Sequence, residues 1–305
     1  MHIAITGATG FIGSGLVPFL VAGGHEVTRV TRRPPRAPDE VTWDPAAGRM
    51  DEDALRGVDA VVHLAGEPIA AGRWTEQRKR RIRDSRVQGT ALLARTMAGT
   101  TDGPRVLVGS SGIDYYGDRG DEVLTEDSAP GDGFLAEVCV AWEAAADAAR
   151  EAGVRVVHLR TGIVLSAEGG ALPRLLLPFR LGLGGRFGSG RQYWSWITID
   201  DMIGLIAHAL ASDGLAGPVN AVAPSPVTNA EFTRTLAGVL SRPAALPVPR
   251  FAPRLVLGEL ADSLLYASQR ALPERAEADG YVFRHANLEE ALRHVLARPS
   301  RCPPA

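Results

Sequence analysis

The stretch Met1-His-Ile-Ala-Ile-Thr-Gly-Ala-Thr-Gly-Phe-Ile-Gly13 opens the chain and predicts its fold. The apolar run at positions 3–5 is typical of a buried parallel strand, and an apolar helical pattern begins inside the glycine spacing that follows. In such a strand–turn–helix, Gly7 allows the tight turn, Gly10 lets a backbone approach a pyrophosphate, and Gly13 lets helix and strand pack closely. The first turn of the helix then faces the phosphates. This stretch predicts a dinucleotide-binding site.

The spacing of the glycines is one residue longer than G-x-G-x-x-G between the first two. A glycine-rich turn without a ligand is the alternative, but the strand and helix on either side favour nucleotide binding. We expect the whole turn to contact the cofactor, through Gly7, Thr9, Gly10, Phe11, Ile12 and Gly13.

The composition of the 305-residue chain is ordinary for a globular protein, with 45% hydrophobic and 22% charged residues. Lys and Arg number 33 against 35 Asp and Glu, and the net charge of −2 argues against a nucleic-acid partner. No apolar run has the length of a membrane span, and the early first strand leaves no room for a signal peptide. Two cysteines, Cys139 and Cys302, suit a reducing cytoplasm and predict no metal cluster. We expect a cytoplasmic monomer or homodimer that acts on a small molecule, without nucleic-acid or membrane partners.

A basic pair, Arg32 and Arg33, follows the second predicted strand at 25–31. The pair lies about twenty residues beyond the glycine turn, where an acidic residue binds the ribose of NAD and an arginine accepts the 2′-phosphate of NADP. Guanidinium groups match phosphate in charge and geometry. A solvated basic turn is the alternative, but the pair favours NADP(H), with Arg32 as the main contact and Arg33 as support.

Apolar strands alternate with helical segments through residues 1–165, which predicts an α/β fold with a Rossmann-type, doubly wound parallel sheet. Ligands bind such sheets at the carboxyl ends of the strands. We therefore expect Leu64, Ala65 and Gly66 beside the cofactor, because they end a predicted strand. Arg86 lies on a predicted helix under the cofactor.

The amino-acid composition changes after residue 165, and up to residue 195 glycines, prolines and arginines recur among large aromatic residues. This composition favours a ligand-facing region over a linker. Arginine forks pair with carboxylate or phosphate, so we expect Arg186 and Arg191 to bind an anionic or planar substrate. Glu67 is a further candidate for substrate contact.

Two units are expected. A Rossmann domain covers 1–164 and is completed by 196–221. A smaller substrate lobe comprises 165–195 and 222–298, of which 246–298 forms a helical cap. Residues 299–305 form a tail.

The chain resembles an extended short-chain dehydrogenase/reductase over nearly its whole length. It is most similar to the atypical subgroup labelled NAD-dependent epimerase, nucleoside-diphosphate-sugar epimerase or cell-division-inhibitor-like. The segments that carry the likeness include Thr6-Gly-Ala-Thr-Gly-Phe-Ile-Gly13, Leu64-Ala-Gly-Glu-Pro68, Ser85-Arg86, Trp142-Glu143, Arg160-Thr-Gly-Ile-Val-Leu165, Leu177-Pro-Phe-Arg-Leu-Gly-Leu-Gly-Gly185, Trp196-Ile-Thr-Ile-Asp200 and Asn220-Ala-Val-Ala-Pro224. The resemblance implies NADP(H) as cofactor, with Arg32 at the 2′-phosphate and Val164 at the nicotinamide carboxamide. It also places Arg86 where ordinary members carry Asn in an Asn-Val-x-Gly-Thr motif.

The chain departs from this family in its catalytic residues. Ordinary extended members use Ser or Thr, Tyr and Lys, and the Lys lowers the pKa of the Tyr so that the phenol can exchange a proton with the substrate. Alignment on the family motifs puts Leu135 at the Tyr position, Cys139 at the Lys position and Gly112 at the Ser or Thr position. Neither Leu nor Gly can transfer a proton, so the standard triad is absent.

Three functions remain open. The first is an NADP(H)-dependent oxidoreductase in which the nicotinamide supplies the hydride chemistry and another group moves the proton. The candidates for that group are Ser111, Tyr115, Tyr116 and Cys139, with Glu67 as a further acid, although the tyrosines also suit packing and Cys139 suits a small helix position. The second is a nucleotide-sugar epimerase, which needs the missing proton shuttle. The third is a non-catalytic NADP(H)-binding regulatory protein. We favour the first.

Overall fold

A computed structural model describes residues 1–244 and 246–297, so the expected tail at 299–305 and Cys302 lie outside the described residues. The strands are β1 (His2–Thr6), β2 (Glu26–Thr31), β3 (Glu40–Asp44), β4 (Arg49–Met50), β5 (Ala60–His63), β6 (Val106–Gly112), β7 (Val123–Leu124), β8 (Arg155–Thr161), β9 (Ile163–Leu165), β10 (Tyr193–Trp194), β11 (Trp196–Thr198), β12 (Gly217–Ala221), β13 (Val227–Thr228) and β14 (Arg270–Ala271).

The helices connect these strands and form most of the C-terminal part of the chain. They are α1 (Gly13–Ala22), α2 (Glu76–Gly99), α3 (Phe134–Ala144), α4 (Asp147–Glu151), α5 (Leu172–Arg180), α6 (Ile199–Ala211), α7 (Asn229–Leu240), α8 (Phe251–Leu257), α9 (Glu259–Ala261), α10 (Glu274–Ala278) and α11 (Leu288–Ala297). Short 3₁₀ helices cover Glu52–Leu55 and Ile113–Tyr116, and a π-helical turn covers Asp262–Tyr266.

Eight strands form the central sheet in the order β12-β8-β6-β5-β1-β2-β3-β4. Its neighbouring strands run parallel except for β3 and β4, which are antiparallel. The chain passes from β1 outward to β2 and β3, and then returns to the other side of β1 as β5. The strand order therefore reverses between β1 and β5, which is where doubly wound sheets bind ligands. The predicted Rossmann-type fold is confirmed.

Helices cover both faces of this sheet. Ile3 and Ile5 point to one face, where Leu16 of α1 and Ile206 of α6 complete a hydrophobic cluster. Ala4 points to the opposite face, which is covered by α2 and α4. This alternation follows from the two-residue period of a strand, and it explains why β1 is apolar without interruption.

A further hydrophobic cluster joins the two segments that were expected to form the substrate lobe. Leu176 and Phe179 of α5 pack there with Phe232 of α7 and Leu292 of α11. The segment 165–195 thus contains a regular helix, although prolines and glycines interrupt its sequence pattern. The domain boundaries themselves stay a prediction.

Two helices follow each other closely in one connection, α3 and α4, whereas the connection before β6 is the single long helix α2. The hydroxyl of Thr75 accepts a hydrogen bond from the Arg78 N–H and caps the start of α2. Within the described ranges, no helix has both the length and the apolar character needed to cross a membrane.

Candidate functional site

The glycine turn after β1 has a geometry that other residues cannot adopt without strain. Gly7 has a φ of +68°, in the left-handed region, and an added Cβ there would lie 2.8 Å from the carbonyl carbon of Leu64. An added Cβ on Gly13 would lie 2.2 Å from the Gly7 carbonyl oxygen. The turn is closed by a 2.9 Å hydrogen bond from the Gly10 N–H to the same Gly7 oxygen. The start of α1 is therefore held directly against the turn.

The N-terminus of α1 presents free hydrogen-bond donors. The N–H groups of Phe11, Ile12 and Gly13 have no acceptor among the described residues. No side chain caps the helix, and its first turn contains no acidic residue. The positive end of the helix dipole and three free N–H groups form an arrangement that binds phosphate and other anions.

The basic pair at the end of β2 is exposed and available for a ligand. The hydroxyls of Thr31 and Thr42 both donate hydrogen bonds to the Arg33 carbonyl oxygen, at 2.8 and 3.1 Å, and so hold the backbone of this turn. The guanidinium groups of Arg32 and Arg33 form no ion pair with any residue that the structure describes. Two unpaired cations beside the glycine turn fit the 2′-phosphate of NADP(H).

The end of β5 is tied to the end of β1 by a buried hydrogen-bond network. The Thr6 hydroxyl lies 2.6 Å from His63 Nδ1 and accepts a 3.2 Å hydrogen bond from the Ala65 N–H. Burial, with the positive charge of Arg86, lowers the pKa of His63 to about 3, so its ring is neutral. The network sets the path of Leu64 and Ala65 beside the glycine turn.

Arg86 of α2 packs against Gly66 and Glu67, the two residues that follow Ala65. Its Nη1 donates to the carbonyl oxygens of Glu67 and Ile82, both at 3.0 Å, and its guanidinium carbon lies 4.9 Å from the centre of the Trp142 ring. An added Cβ on Gly66 would lie 3.5 Å from the same carbon. Burial lowers the pKa of Arg86, although the neighbouring Cys139, Asp114 and Glu67 act in the opposite direction.

A cavity of about 660 Å³ adjoins the glycine turn. Thr9, Gly10 and Phe11 line one side, and the segment 166–169 lines another. The Phe11 ring packs so closely on Gly169 that an added Cβ there would lie 2.5 Å from a ring carbon. Val164 is buried just before this segment. The cavity and the free N–H groups lie at one crevice, at the carboxyl end of β1 where the strand order reverses. The basic pair follows β2, which pairs directly with β1.

Three of the four predicted catalytic residues are buried. The Ser111 hydroxyl donates a 2.7 Å hydrogen bond to Glu143 Oε1. Tyr116 is fully buried, its hydroxyl donates to Asn220 at 2.7 Å, and burial raises its pKa to about 12. Burial, with the negative charge of Asp114, also raises the pKa of the Cys139 thiol to about 12. These environments argue against Tyr116 as a proton donor and against Cys139 as a nucleophile.

The fourth, Tyr115, is only partly buried. Its ring stacks on the guanidinium of Arg160, with 3.4 Å between the Arg160 Cζ and the ring centre. The contact is a cation–π interaction that holds the ring in place. The structure assigns the Tyr115 ring a packing role and leaves its hydroxyl without a hydrogen-bond partner among the described residues.

A buried ion pair between α3 and β8 has a role that the sequence did not predict. Arg160 Nε and Nη2 donate to the two oxygens of Glu143, both at 2.9 Å, and the side chain of Arg160 is only 3% exposed. Arg160 Nη1 donates to the Tyr116 hydroxyl at 3.0 Å. Burial acts to lower the pKa of Arg160, but the hydrogen bonds to Glu143 hold it above its ordinary value. The pair contacts Ser111 through Glu143, and both Tyr115 and Tyr116 through Arg160.

Asp114 is a further residue that the sequence reasoning missed. It lies in the 3₁₀ turn directly after β6, and its Oδ2 is 3.1 Å from the position that a Cβ on Gly112 would occupy. Burial raises the pKa of Asp114 to about 6. An acid at the carboxyl end of a parallel strand was the available signal, because ligands bind at that edge.

The predicted substrate contacts are distributed over different places. Glu67 lies 3.8 Å from a guanidinium nitrogen of Arg78 at the start of α2. Arg191 lines a second cavity of about 770 Å³, together with Arg250 and Tyr266. The side chain of Arg186 packs on Gly190. Glu67 thus lies near the start of α2, while Arg191 faces the second cavity.

The tertiary structure also brings together Asp200, His285 and His294, whose potential ligand atoms lie within 4.8 Å of one another. The sequence predicted no such group. His294 Nε2 already lies 2.9 Å from an Asp200 oxygen, so this contact links α11 to the start of α6.

Comparison with known proteins decides the family. The model of the NAD dependent epimerase/dehydratase family matches residues 3–221. The chain belongs to that family. A second model, of a domain of unknown function (DUF1731), matches residues 248–295, which cover most of the cap. The resemblance to atypical extended short-chain dehydrogenases is confirmed.

Several family members resemble the chain over nearly its full length. An epimerase family protein of Mycobacterium bovis is 44% identical over 97% of this chain and 98% of its own. The human epimerase family protein SDR39U1 (isoform 2), crystallised with NADPH, is 39% identical with a TM-score of 0.87, over 97% of this chain and 99% of that one. A nucleoside-diphosphate sugar epimerase from Corynebacterium glutamicum is also 39% identical, with a TM-score of 0.82 over 97% of this chain and 58% of that one.

Proposed function

We propose that the chain is an NADP(H)-dependent oxidoreductase of the atypical short-chain dehydrogenase type, which acts on a small anionic substrate without the Ser-Tyr-Lys triad. The observation that supports the proposal most directly is the anion cradle, formed by the free N–H groups of Phe11, Ile12 and Gly13 at the start of α1. Three such donors match a pyrophosphate. The close contact between Gly13 and Gly7 leaves no room for a side chain at position 13. The NADPH in the related human structure supports the same cofactor here.

Different residues around the crevice bind different parts of the cofactor. The N–H groups of Phe11, Ile12 and Gly13 bind the pyrophosphate, while Arg32 and Arg33 bind the 2′-phosphate. Leu64, Ala65 and Gly66 pass along the adenosine side, and Val164 meets the nicotinamide carboxamide. When bound, NADPH supplies the hydride.

The second cavity supports an anionic substrate. Arg191 lines it, and a guanidinium group pairs well with carboxylate or phosphate. Arg250 also lines the cavity but already forms a 2.8 Å ion pair with Asp262, so Arg191 is the residue that supports anion binding. Unchanged substrate affinity after Arg186→Ala or Arg191→Ala would argue against this part of the proposal.

Epimerisation is less well supported, although the family model and the Corynebacterium relative carry that name. A sugar epimerase must remove and return a proton at the same hydroxyl, which the usual Tyr and Lys perform. Leu135 and Cys139 occupy those positions here. A purely regulatory cofactor-binding protein would show cofactor affinity without turnover of any substrate.

Cofactor affinity tests the proposal. Fluorescence titration of the wild type should show NADPH bound at least tenfold more tightly than NADH. Charge-assisted hydrogen bonds contribute about 1.5–3 kcal/mol, so Arg32→Ala should weaken NADPH binding by roughly 10- to 150-fold and leave NADH binding almost unchanged. Arg36→Ala, which removes an exposed charge from the same loop, is the matched control. Equal affinity of the wild type for both coenzymes would refute the NADP preference, and no affinity for either would refute the function.

The proposal also includes a cytoplasmic location and action as a monomer or homodimer without nucleic-acid or membrane partners. The small number of cysteines supports the location.

A further inference from the structure

The oxidoreductase proposed above needs a proton donor that the family's usual residues do not provide. Gly112 and Leu135 replace the hydroxyl and phenol, and the thiol of Cys139 is buried with a raised pKa. Another acid must therefore lie near the same edge of the sheet if a carbonyl is to be reduced to an alcohol.

The carboxyl group of Asp114 lies in close contact with the point where a side chain at position 112 would begin. Asp114 Oδ2 is 3.1 Å from the Cβ position of Gly112, and Cys139 Sγ is 3.7 Å from that position. A Ser or Thr at 112 would therefore crowd the carboxyl, which would have to shift by a few tenths of an ångström. Gly112, which lacks the family's hydroxyl, leaves room for this acid.

Asp114 also lies at the correct edge of the sheet. It follows β6, whose neighbour β5 leads into the turn at 64–66. Arg86, which lies under Gly66, is close enough for its charge to act on the Asp114 carboxyl. The acid is therefore within the group of residues that surrounds the carboxyl ends of β5 and β6.

The groups that face Asp114 come from three elements. Arg86 of α2 contributes a positive charge, Cys139 of α3 contributes a neutral thiol, and the Gln269 side chain of the cap lies close enough to favour the carboxylate. Burial raises the pKa of Asp114 to about 6, although its own backbone N–H, the Arg86 charge and Gln269 act to lower it. The carboxyl is desolvated, although the residue as a whole keeps some solvent exposure. A donor whose pKa is close to the working pH is the most effective general acid.

We infer that Asp114 is the catalytic proton donor, and that it takes the place of the family's tyrosine. The substrate carbonyl carbon accepts the hydride from the bound nicotinamide, while the carbonyl oxygen accepts the proton as the O–H bond of the Asp114 carboxyl breaks. The products are an alcohol, the oxidised coenzyme and the Asp114 carboxylate, which regains its proton from water. Arg86 is a positioning residue whose charge stabilises that carboxylate. This inference rests on the proposed oxidoreductase function.

A titration tests the acid without any substrate. Protein labelled with ¹³C at the aspartate carboxyls is titrated by NMR with NADP⁺ bound, and Asp114→Asn identifies the resonance. A midpoint near 6 supports the inference, and a midpoint at the ordinary value of 3.8 overturns it. Arg86→Gln should raise the midpoint, because it removes the charge that favours the carboxylate.

A kinetic test uses NADPH oxidation with a panel of aldehydes, ketones and quinones, taking the compound that the wild type reduces fastest. General acids contribute about 10²–10⁴-fold, so Asp114→Asn should lower kcat by about 100-fold or more and remove the pH dependence centred near 6. The dissociation constant of NADPH should not change. Asp132→Asn, which removes an exposed carboxylate nearby in the chain, is the matched control and should behave as the wild type.

The outcomes separate this inference from the function on which it rests. Wild-type turnover with an equally active Asp114→Asn variant overturns Asp114 alone. A variant with lower kcat but an unchanged pH profile shows a structural role and also overturns it. Weak NADPH binding by Asp114→Asn would assign the residue to cofactor binding instead. If the wild type binds no NADPH, or reduces no compound of the panel, the proposed function fails and this inference fails with it.

Discussion

Replacement of Arg160 by methionine is expected to destabilise the protein strongly, because it leaves Glu143 as an unpaired buried carboxylate. Arg160 donates two hydrogen bonds of 2.9 Å to that carboxylate, and the two side chains are only 3% and 13% exposed. Arg160 also donates to the Tyr116 hydroxyl and the Glu126 carbonyl oxygen, at 3.0 and 3.2 Å. Removing one partner of a buried pair costs about 3–5 kcal/mol, and we expect a loss in this range.

The double variant Arg160→Met with Glu143→Met separates the ion pair from simple packing. Two apolar side chains of similar length leave no buried charge, so the double variant should be more stable than the sum of the single losses predicts. A coupling free energy of about 2 kcal/mol or more is expected for such a pair. The assay is equilibrium urea unfolding at pH 7.

A matched control is the exposed pair of Arg293 and Glu289 on α11, whose side chains are 59% and 56% exposed. Arg293→Met should change the free energy of unfolding by only about 0.3–0.5 kcal/mol, because solvent screens such pairs. The reasoning would be refuted by a loss below about 1 kcal/mol for Arg160→Met, or by a coupling energy indistinguishable from zero.

Three further predictions concern other parts of the molecule. Burial lowers the pKa of His158 to about 4 from 6.5, so the unfolded chain binds the additional proton and stability should fall as the pH drops from 6.5 to 4. His158→Gln should reduce that slope in unfolding experiments, and an unchanged slope would contradict the assignment. Gly13→Ala should cost about 1–3 kcal/mol or more and abolish NADPH binding in a fluorescence titration, because its Cβ would lie 2.2 Å from a carbonyl oxygen. Its control, Gly238→Ala in α7, meets nothing within 4 Å and should be neutral or slightly stabilising. In a Cys302→Ser background, Cys139 should react with a disulfide reagent only after unfolding, since its pKa is raised to about 12; rapid reaction of the native protein would show that the thiol is accessible.

The nucleotide-binding end of the fold was readable from local patterns. Strand, turn and helix follow one another within residues 1–22, and each depends on neighbours a few positions away. The close contact of Gly13 with the turn depends on its own backbone, and Arg32 and Arg33 are exposed at the end of one strand. Residue types and spacing were therefore enough to predict these positions as binding residues. The alternation of strands and helices similarly predicted the parallel sheet.

The proton-handling part of the site could not be read in this way, because its contacts join residues that are distant in the chain. Ser111 and Glu143 are 32 positions apart, and Glu143 and Arg160 are 17 apart, so only the packing of α3 against β6 and β8 brings them together. Burial depends on every surrounding element. It raises the pKa of Asp114, and it leaves the side chains of Tyr116 and Cys139 inaccessible to solvent. Residue types and their spacing determine the parallel sheet and the anion cradle at the start of α1. The proton donor inferred above, Asp114, depends instead on desolvation and on long-range contacts that exist only in the folded chain.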